Sequence, residues 1–307
     1  MILVTGASGL LGSNLILTGM KSGLEMAAMT NRHKIRLAGV RTWQVDLTDT
    51  GAVRSAVREA LPSTIIHCAA QTSLDAAERD PEAAREINVN ASGRLAAVAV
   101  DLGASFVYIS TDAVFDGSRS WNKETDPVAP LSVYGQTKLD GEIASMQAHP
   151  GALIARINIY GWNALPKQSL GEWMLERLEA SESFPGFTDV YFCPLLVNDF
   201  ADVLFQMLEQ KLQGTYHVCG SERISKFEFG VRIARVFGLD ENLVKGTSVY
   251  DAPLVAKRSL DLSMATERVA TAIGRRMPSA DEGLRRFAEL RRNGYRKELK
   301  AMVEAQS

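Results

Sequence analysis

Tyr134 and Lys138 stand four residues apart in a segment patterned as a helix over residues 134–147, which places both on one helical face. A tyrosine phenol has an ordinary pKa of about 10 and is a poor acid at neutral pH. A neighbouring ammonium favours the phenolate and lowers that value. Such a pair can hand a proton to a carbonyl oxygen while a hydride reaches the carbonyl carbon. Thr111 follows a clean apolar strand at 105–110 and so stands at the carboxyl end of a sheet, where ligands bind in open α/β folds. Its hydroxyl can hold the same oxygen. A Tyr-x-x-x-Lys spacing also arises on any amphipathic helix face, so its weight comes from the sequence upstream.

That upstream signal is Gly6-Ala7-Ser8-Gly9-Leu10-Leu11-Gly12, between a strand at Ile2–Thr5 and a helix at Leu10–Lys21. Glycines here let the backbone turn sharply, approach a pyrophosphate and pack helix on strand. The helix then faces the phosphates with free N–H groups and its positive dipole end. The spacing is G-x-x-G-x-x-G, and Gly6, Ser8, Gly9, Leu10, Leu11 and Gly12 are the candidate contacts. About 20 residues past such a loop, NAD-binding chains place an acidic residue on the ribose. Here the sequence is Thr30-Asn31-Arg32-His33-Lys34, with no carboxylate. Arg32, beside Asn31, and Lys34 can meet a 2′-phosphate, which predicts NADP(H), with NAD(H) less favoured. Asp46-Leu47 follows a strand-like stretch, and Asp46 is either an adenine contact or a helix cap.

The elements that must position these residues alternate. Strands at 2–5, 24–30, 64–68, 105–110 and 152–159 are interleaved with helices at 10–21, 81–102 and 134–147. This implies βαβ units and an α/β, Rossmann-type, doubly wound parallel sheet. The pattern loosens after Gly161. Strands at 189–196 and 214–218, joined by a helix at 199–211, are expected to extend the same sheet. The NADP-binding Rossmann domain is then 1–160 plus 188–220. The smaller, discontinuous C-terminal substrate-binding part is 161–187 plus 221–307.

The chain of 307 residues has 46% hydrophobic and 23% charged residues, ordinary for a soluble globular protein. A formal net charge of -2 gives no electrostatic reason to propose nucleic acid or an anionic membrane as a partner. Cys68, Cys193 and Cys219 form no C-x-x-C pair, which fits a reducing compartment and no zinc site. There is no signal-peptide pattern and no apolar run long enough for a membrane span, so a soluble cytoplasmic protein is expected. The basic residues Arg285, Arg286, Arg291, Arg292, Arg296, Lys297 and Lys300 are interleaved with Glu289, Glu298 and Glu304, which favours a solvated helix face.

Together these residues resemble the extended short-chain dehydrogenase/reductases, and within them the dTDP-4-dehydrorhamnose reductase family. The carrying segments are Val4 to Gly12, Ala69-Ala70 with Asp75 and Glu78, Asn90, Ser110-Thr111-Asp112 and Val114-Phe115-Asp116-Gly117. Tyr134-Gly135-Gln136-Thr137-Lys138-Leu139-Asp140-Gly141-Glu142 is the most specific. Arg156, Tyr160-Gly161, Gly214-Thr215-Tyr216-His217, Ser225-Lys226-Phe227-Glu228-Phe229 and Ala256-Lys257-Arg258 extend the likeness over nearly the whole chain. The resemblance implies that Thr111, Tyr134 and Lys138 are a catalytic triad, that Lys138 also holds the nicotinamide ribose, and that Ala69 and Ala70 line the cofactor path by their backbone.

The chain departs from the family at His67-Cys68, Gln71, Ala113 and across 188–197, where a sugar would be recognised. Dehydratases of this superfamily carry Glu at the position of Ala113; alanine moves no proton, which leaves reductase or epimerase. The resemblance implies NADPH-dependent reduction of a keto group on a nucleotide-linked deoxysugar. An alternative of another class is a non-catalytic regulatory subunit. The beta subunit of methionine adenosyltransferase resembles the same family and keeps a similar tyrosine–lysine segment. The resemblance also implies a homodimer through helices 81–102 and 134–147, whose faces are alanine-rich.

Overall fold

In the computed structural model, residues 1–251 and 259–303 are described. Ala256-Lys257-Arg258 and Glu304 lie outside the described residues. Seven parallel strands form the central sheet: β1 Ile2–Thr5, β2 Met26–Thr30, β3 Arg41–Gln44, β4 Thr64–His67, β5 Ser105–Thr111, β6 Leu153–Ile157 and β7 Gly214–Val218. Their spatial order is β3-β2-β1-β4-β5-β6-β7. The crossover helices are α1 Leu10–Lys21, α2 Thr50–Ala60, α3 Ala91–Asp101, α4 Val133–Ala148 and α5 Val197–Glu209.

Successive side chains on a strand point to opposite faces, and here both faces are apolar. Val4, Ala28, Ile66, Val107, Ile109 and Leu153 pack with Leu15 and Ile16 of α1 and Phe200 and Leu204 of α5. Their neighbours Leu3, Ala27, Ile65, Phe106, Tyr108 and Ile154 pack with Val53 and Val57 of α2 and Leu95 and Ala99 of α3. The first of these cores continues past the sheet through Tyr160, Trp162, Phe229 and Phe287. Trp162 stacks on Phe287 at 4.0 Å, so the C-terminal part shares the core of the sheet.

Several expectations change. The strand expected from residue 24 begins at Met26. The helix expected over 81–102 is Pro81–Arg85, a π turn at Glu86–Asn90, and then α3. The turn carries a buried Asn88 whose side chain grips the Gln71 backbone in both directions, accepting from its N–H at 2.8 Å and donating to its carbonyl at 3.2 Å. A single π turn inside a helix is a common way to admit such a contact.

The strand expected over 152–159 ends at Ile157. Asn158 turns aside to bond Asp112, and Ile159–Tyr160 pairs instead with Leu195–Leu196. Residues 189–196 do not extend the sheet. The free edge of β6 is taken by β7, residue for residue from Leu153↔Gly214 to Ile157↔Val218. Tyr191–Phe192 therefore pairs antiparallel with Ile224–Ser225. The helix expected over 199–211 is α5, two residues earlier at each end.

Among the described residues, three of the seven basic C-terminal residues pair with other helices. Arg286 meets Asp199 at 2.5 Å and Asp202 at 2.6 Å, Arg291 meets Glu179, and Arg296 meets Glu176 at 3.1 Å. No helix among the described residues is long and apolar enough to cross a membrane.

Close packing sets the sign of one substitution. A Cβ on Gly141 would lie 2.2 Å from the Asn88 carbonyl oxygen and 2.2 Å from the Tyr108 hydroxyl. Helix propensity alone favours alanine over glycine by about 1 kcal/mol. Overpacking a tight contact costs about 1–3 kcal/mol and outweighs it. Gly141→Ala should therefore lower the thermal unfolding midpoint; an unchanged or raised midpoint in calorimetry contradicts this packing.

Candidate active site

The loop between β1 and α1 is built from backbone contacts that exclude side chains. Gly6 has φ +63°, and a Cβ there would lie 2.7 Å from the Ala69 Cα. A Cβ on Gly12 would lie 2.4 Å from the Gly6 carbonyl oxygen. Gly9 differs. A Cβ there would meet only that same oxygen, at 3.3 Å, so its outer side is open to a ligand.

The helix behind the loop starts at Gly9 with no side-chain cap. In contrast, Asp49 caps α2, Ser132 caps α4 and Ser225 caps the helix Lys226–Phe237. The first-turn amides of α1, at Leu10, Leu11 and Gly12, thus have no side-chain acceptor at the positive end of the helix dipole. That arrangement, with half-buried Ser8 alongside, fits a pyrophosphate.

The other cofactor candidates continue this row along the carboxyl edge of the sheet. Ala69 and Ala70 follow β4, and the Ala69 N–H donates to the Thr5 hydroxyl at 3.4 Å. Asn31 and Arg32 follow β2 and are exposed. Among the described residues, neither Arg32 nor Lys34 makes an ion pair. Asp46 and Leu47 follow β3, with Asp46 exposed and Leu47 buried. The Asp46 carboxylate accepts from the Thr48 N–H at 2.9 Å and the Thr48 hydroxyl at 2.8 Å. Those bonds, with Arg32 a smaller influence, hold its pKa below the ordinary value. The helix cap is Asp49 rather than Asp46.

Thr111 ends β5, and Tyr134 and Lys138 lie on α4, which packs against that strand. The Thr111 hydroxyl donates to Asp112 at 3.0 Å and accepts from the Ala113 N–H at 3.2 Å. The Lys138 ammonium donates to the Ile109 carbonyl at 2.6 Å and sits 4.0 Å from the centre of the Tyr108 ring. Burial pushes its pKa down to about 7, against the opposing pull of Glu142. Burial pushes the Tyr134 phenol up to about 12, and only the neighbouring Thr111 hydroxyl draws it back. The lowered phenol pKa expected from the Tyr134–Lys138 spacing is therefore not found. Burial sets that value, and Lys138, whose ammonium is turned to the Ile109 carbonyl and the Tyr108 ring, does not lower it.

Beneath these residues lies a buried polar frame. Glu142, one turn beyond Lys138, takes a bidentate Arg156 from β6 at 2.9 and 2.8 Å, and accepts from the Ser110 hydroxyl at 2.5 Å. Asn88 also donates to the Thr137 hydroxyl at 3.0 Å, tying the Gln71 loop to the turn between Tyr134 and Lys138. The sequence reading named Asn90 and missed Asn88; the signal that marks it is a buried side chain at a π turn, which periodicity does not display. His67 bonds Thr5 at 2.7 Å and Ser92 at 3.0 Å at the end of β4, a structural placement.

Comparison with known proteins decides the family. The model of the RmlD substrate binding domain matches residues 1–292. The chain belongs to this family. It is 32% identical over 285 residues to the probable low-salt glycan biosynthesis reductase Agl14 of Haloferax volcanii, covering 92% of this chain and 95% of that one. It is also 34% identical over 290 residues to methionine adenosyltransferase 2 subunit beta of Pongo abelii, covering 90% of this chain and 84% of that one. Among solved structures, dTDP-4-dehydrorhamnose reductase from Bacillus anthracis in complex with NADP matches with TM-score 0.83 and 28% identity, covering 94% of this chain and 98% of that one. The resemblance to the extended short-chain dehydrogenase/reductases is thereby borne out.

The buried histidines make acid stability a test of this frame. Burial, then the Lys138 charge, pushes His67 down to about 3; burial, then Arg156, pushes His217 down to about 3. Between those values and the ordinary histidine pKa of about 6.5, the unfolded chain binds protons that the native chain does not. Their contribution is complete above about 6.5 and is lost as pH falls toward about 3. The denaturant midpoint should fall with acidification over that window, and less steeply in His67→Asn. Equal slopes in the two proteins contradict a neutral, buried His67.

Proposed function

We propose that this chain is an NADPH-dependent reductase of a keto group on a nucleotide-linked deoxysugar. The carrying observation is the row of candidates after successive strands: Asp46 and Leu47, Asn31 and Arg32, the Gly6–Gly12 amides, Ala69 and Ala70, and then Thr111 with Tyr134 and Lys138. A dinucleotide laid along that row, pyrophosphate on the α1 amides, would bring its nicotinamide end toward the tyrosine. The reductase relatives support the same reading.

When bound, NADPH supplies the hydride. Thr111 holds the substrate oxygen, and Tyr134 gives it a proton. The phenol carries its proton at neutral pH, although burial holds its pKa up at about 12 and makes it a weaker acid than a free tyrosine. Lys138 would hold the ribose hydroxyls, and its charge would offset the phenolate left behind. Asn31 and Arg32 would take the adenosine 2′-phosphate, and Asp46 and Leu47 would flank the adenine. Ala113 provides no acid, so a dehydratase step is not part of the proposal. The same reading places a homodimer in the cytoplasm, with Val100 and Ile143 exposed on the two alanine-rich helices.

A second reading rests on the 34% identity to methionine adenosyltransferase 2 subunit beta, and on a Tyr134 whose acidity is reduced rather than enhanced. There the cofactor is a structural ligand and the chain acts through a partner enzyme.

Tyr134→Phe separates the two. The reductase reading expects turnover to fall by about a hundredfold or more, the scale of general acid catalysis, with NADPH affinity within about twofold. Turnover that survives the change overturns the mechanism. A wild-type protein with no turnover that forms a stoichiometric complex with a methionine adenosyltransferase establishes the second reading.

A further inference from the structure

The ten residues between β2 and β3 carry Asn31, Arg32 and Lys34 and form no helix or strand of their own. Among the described residues, the backbone of this loop is bonded by its neighbour β3, where Gln44 donates to the Asn31 carbonyl at 2.8 Å and Thr42 to the Ile35 carbonyl at 3.4 Å, and by one segment from far along the chain. The Arg36 N–H donates to the Met302 carbonyl at 2.8 Å, and Ile35 pairs antiparallel with Val303. Ile35 and Met302 are buried there, at 4% and 1% exposure.

The segment that delivers Met302 and Val303 is itself anchored on the cofactor helix. It follows the short helix Tyr295–Ala301. The Tyr295 hydroxyl donates to the buried Asn14 of α1 at 2.9 Å and accepts from Asn198 of α5 at 2.8 Å. Glu298 pairs with Lys21, the last residue of α1, at 2.5 Å. One strap thus connects the helix that would carry the pyrophosphate to the loop that would carry the 2′-phosphate.

We propose that residues 302–303 are a specificity element: by holding the 31–40 loop against α1 they keep Arg32 and Lys34 assembled for a 2′-phosphate, and so set the preference for NADPH over NADH. The proposal rests on the NADP reading above. A loop ordered before binding loses less conformational entropy on capture of its ligand. Only the phosphate that NADPH has and NADH lacks gains from that order. Releasing the strap should therefore cost NADPH affinity selectively, whereas general damage to the fold would weaken both cofactors.

The test is fluorescence titration of NADPH and NADH into four proteins: wild type, a chain ending at Ala301, Met302→Gly and Arg32→Ala. The chain ending at Ala301 should bind NADPH about tenfold more weakly, equivalent to about 1.4 kcal/mol, with NADH within about twofold. Met302→Gly should move the same way by less, and it carries the test if the shorter chain does not fold. Folded strap variants that keep the wild-type preference, while Arg32→Ala loses it, overturn the strap and leave the NADP reading standing. Equal weakening of both cofactors also overturns the strap. A wild type that binds NADH as tightly as NADPH overturns the NADP reading and the strap with it.

Discussion

Backbone meets backbone at the carboxyl ends of β1 and β4, and the site depends on it. Gly6 leaves its strand with positive φ and lies against Ala69; Gly12 lies against Gly6. Neither position has room for a Cβ. This approach fixes where α1 begins, and therefore where its uncapped amides point. It also brings the end of β4 beside the end of β1, so that candidates from neighbouring strands share one edge. A side chain at Gly6 or Gly12 would part those strands from the helix and undo the arrangement at once.

The second half of the site is governed by burial rather than by charge pairing. Tyr134 and Lys138 are both pushed toward their neutral forms, the phenol up and the ammonium down. Beside them Glu142 and Arg156 remain a buried ion pair, satisfied in bidentate fashion and by Ser110. Such a pair adds little net stability, but removal of one partner strands the other charge. Its location suits a frame: Ser110 precedes Thr111, and Glu142 follows Lys138 by one turn. The Asn88 clamp adds the Gln71 loop to the same frame.

Much of this was legible from residue order. The glycine loop, the strand before it, the helix after it and the strand ending at Thr111 follow from local pattern, because each is a short element with a strong signal. The sheet class follows from alternation alone. What escaped was set by tertiary contact. Residues 189–196 have strand character, but β7 occupies the edge they would need. The π turn appears only once Asn88 has a backbone to grip. β3 was legible only as a strand-like stretch before Asp46, because it is an edge strand with Arg41 and Gln44 exposed. The titration behaviour of Tyr134 was misjudged for the same reason: spacing shows proximity along a helix, but not how much water the fold removes.

The central claim is that this edge of the sheet binds NADPH and delivers its hydride to a sugar ketone. The most direct measurement follows the absorbance of reduced nicotinamide after the purified protein meets a panel of nucleotide-linked 4-keto sugars. The account predicts NADPH oxidation that depends on one of those sugars and on the protein. Tight NADPH binding with no oxidation across the panel would contradict it.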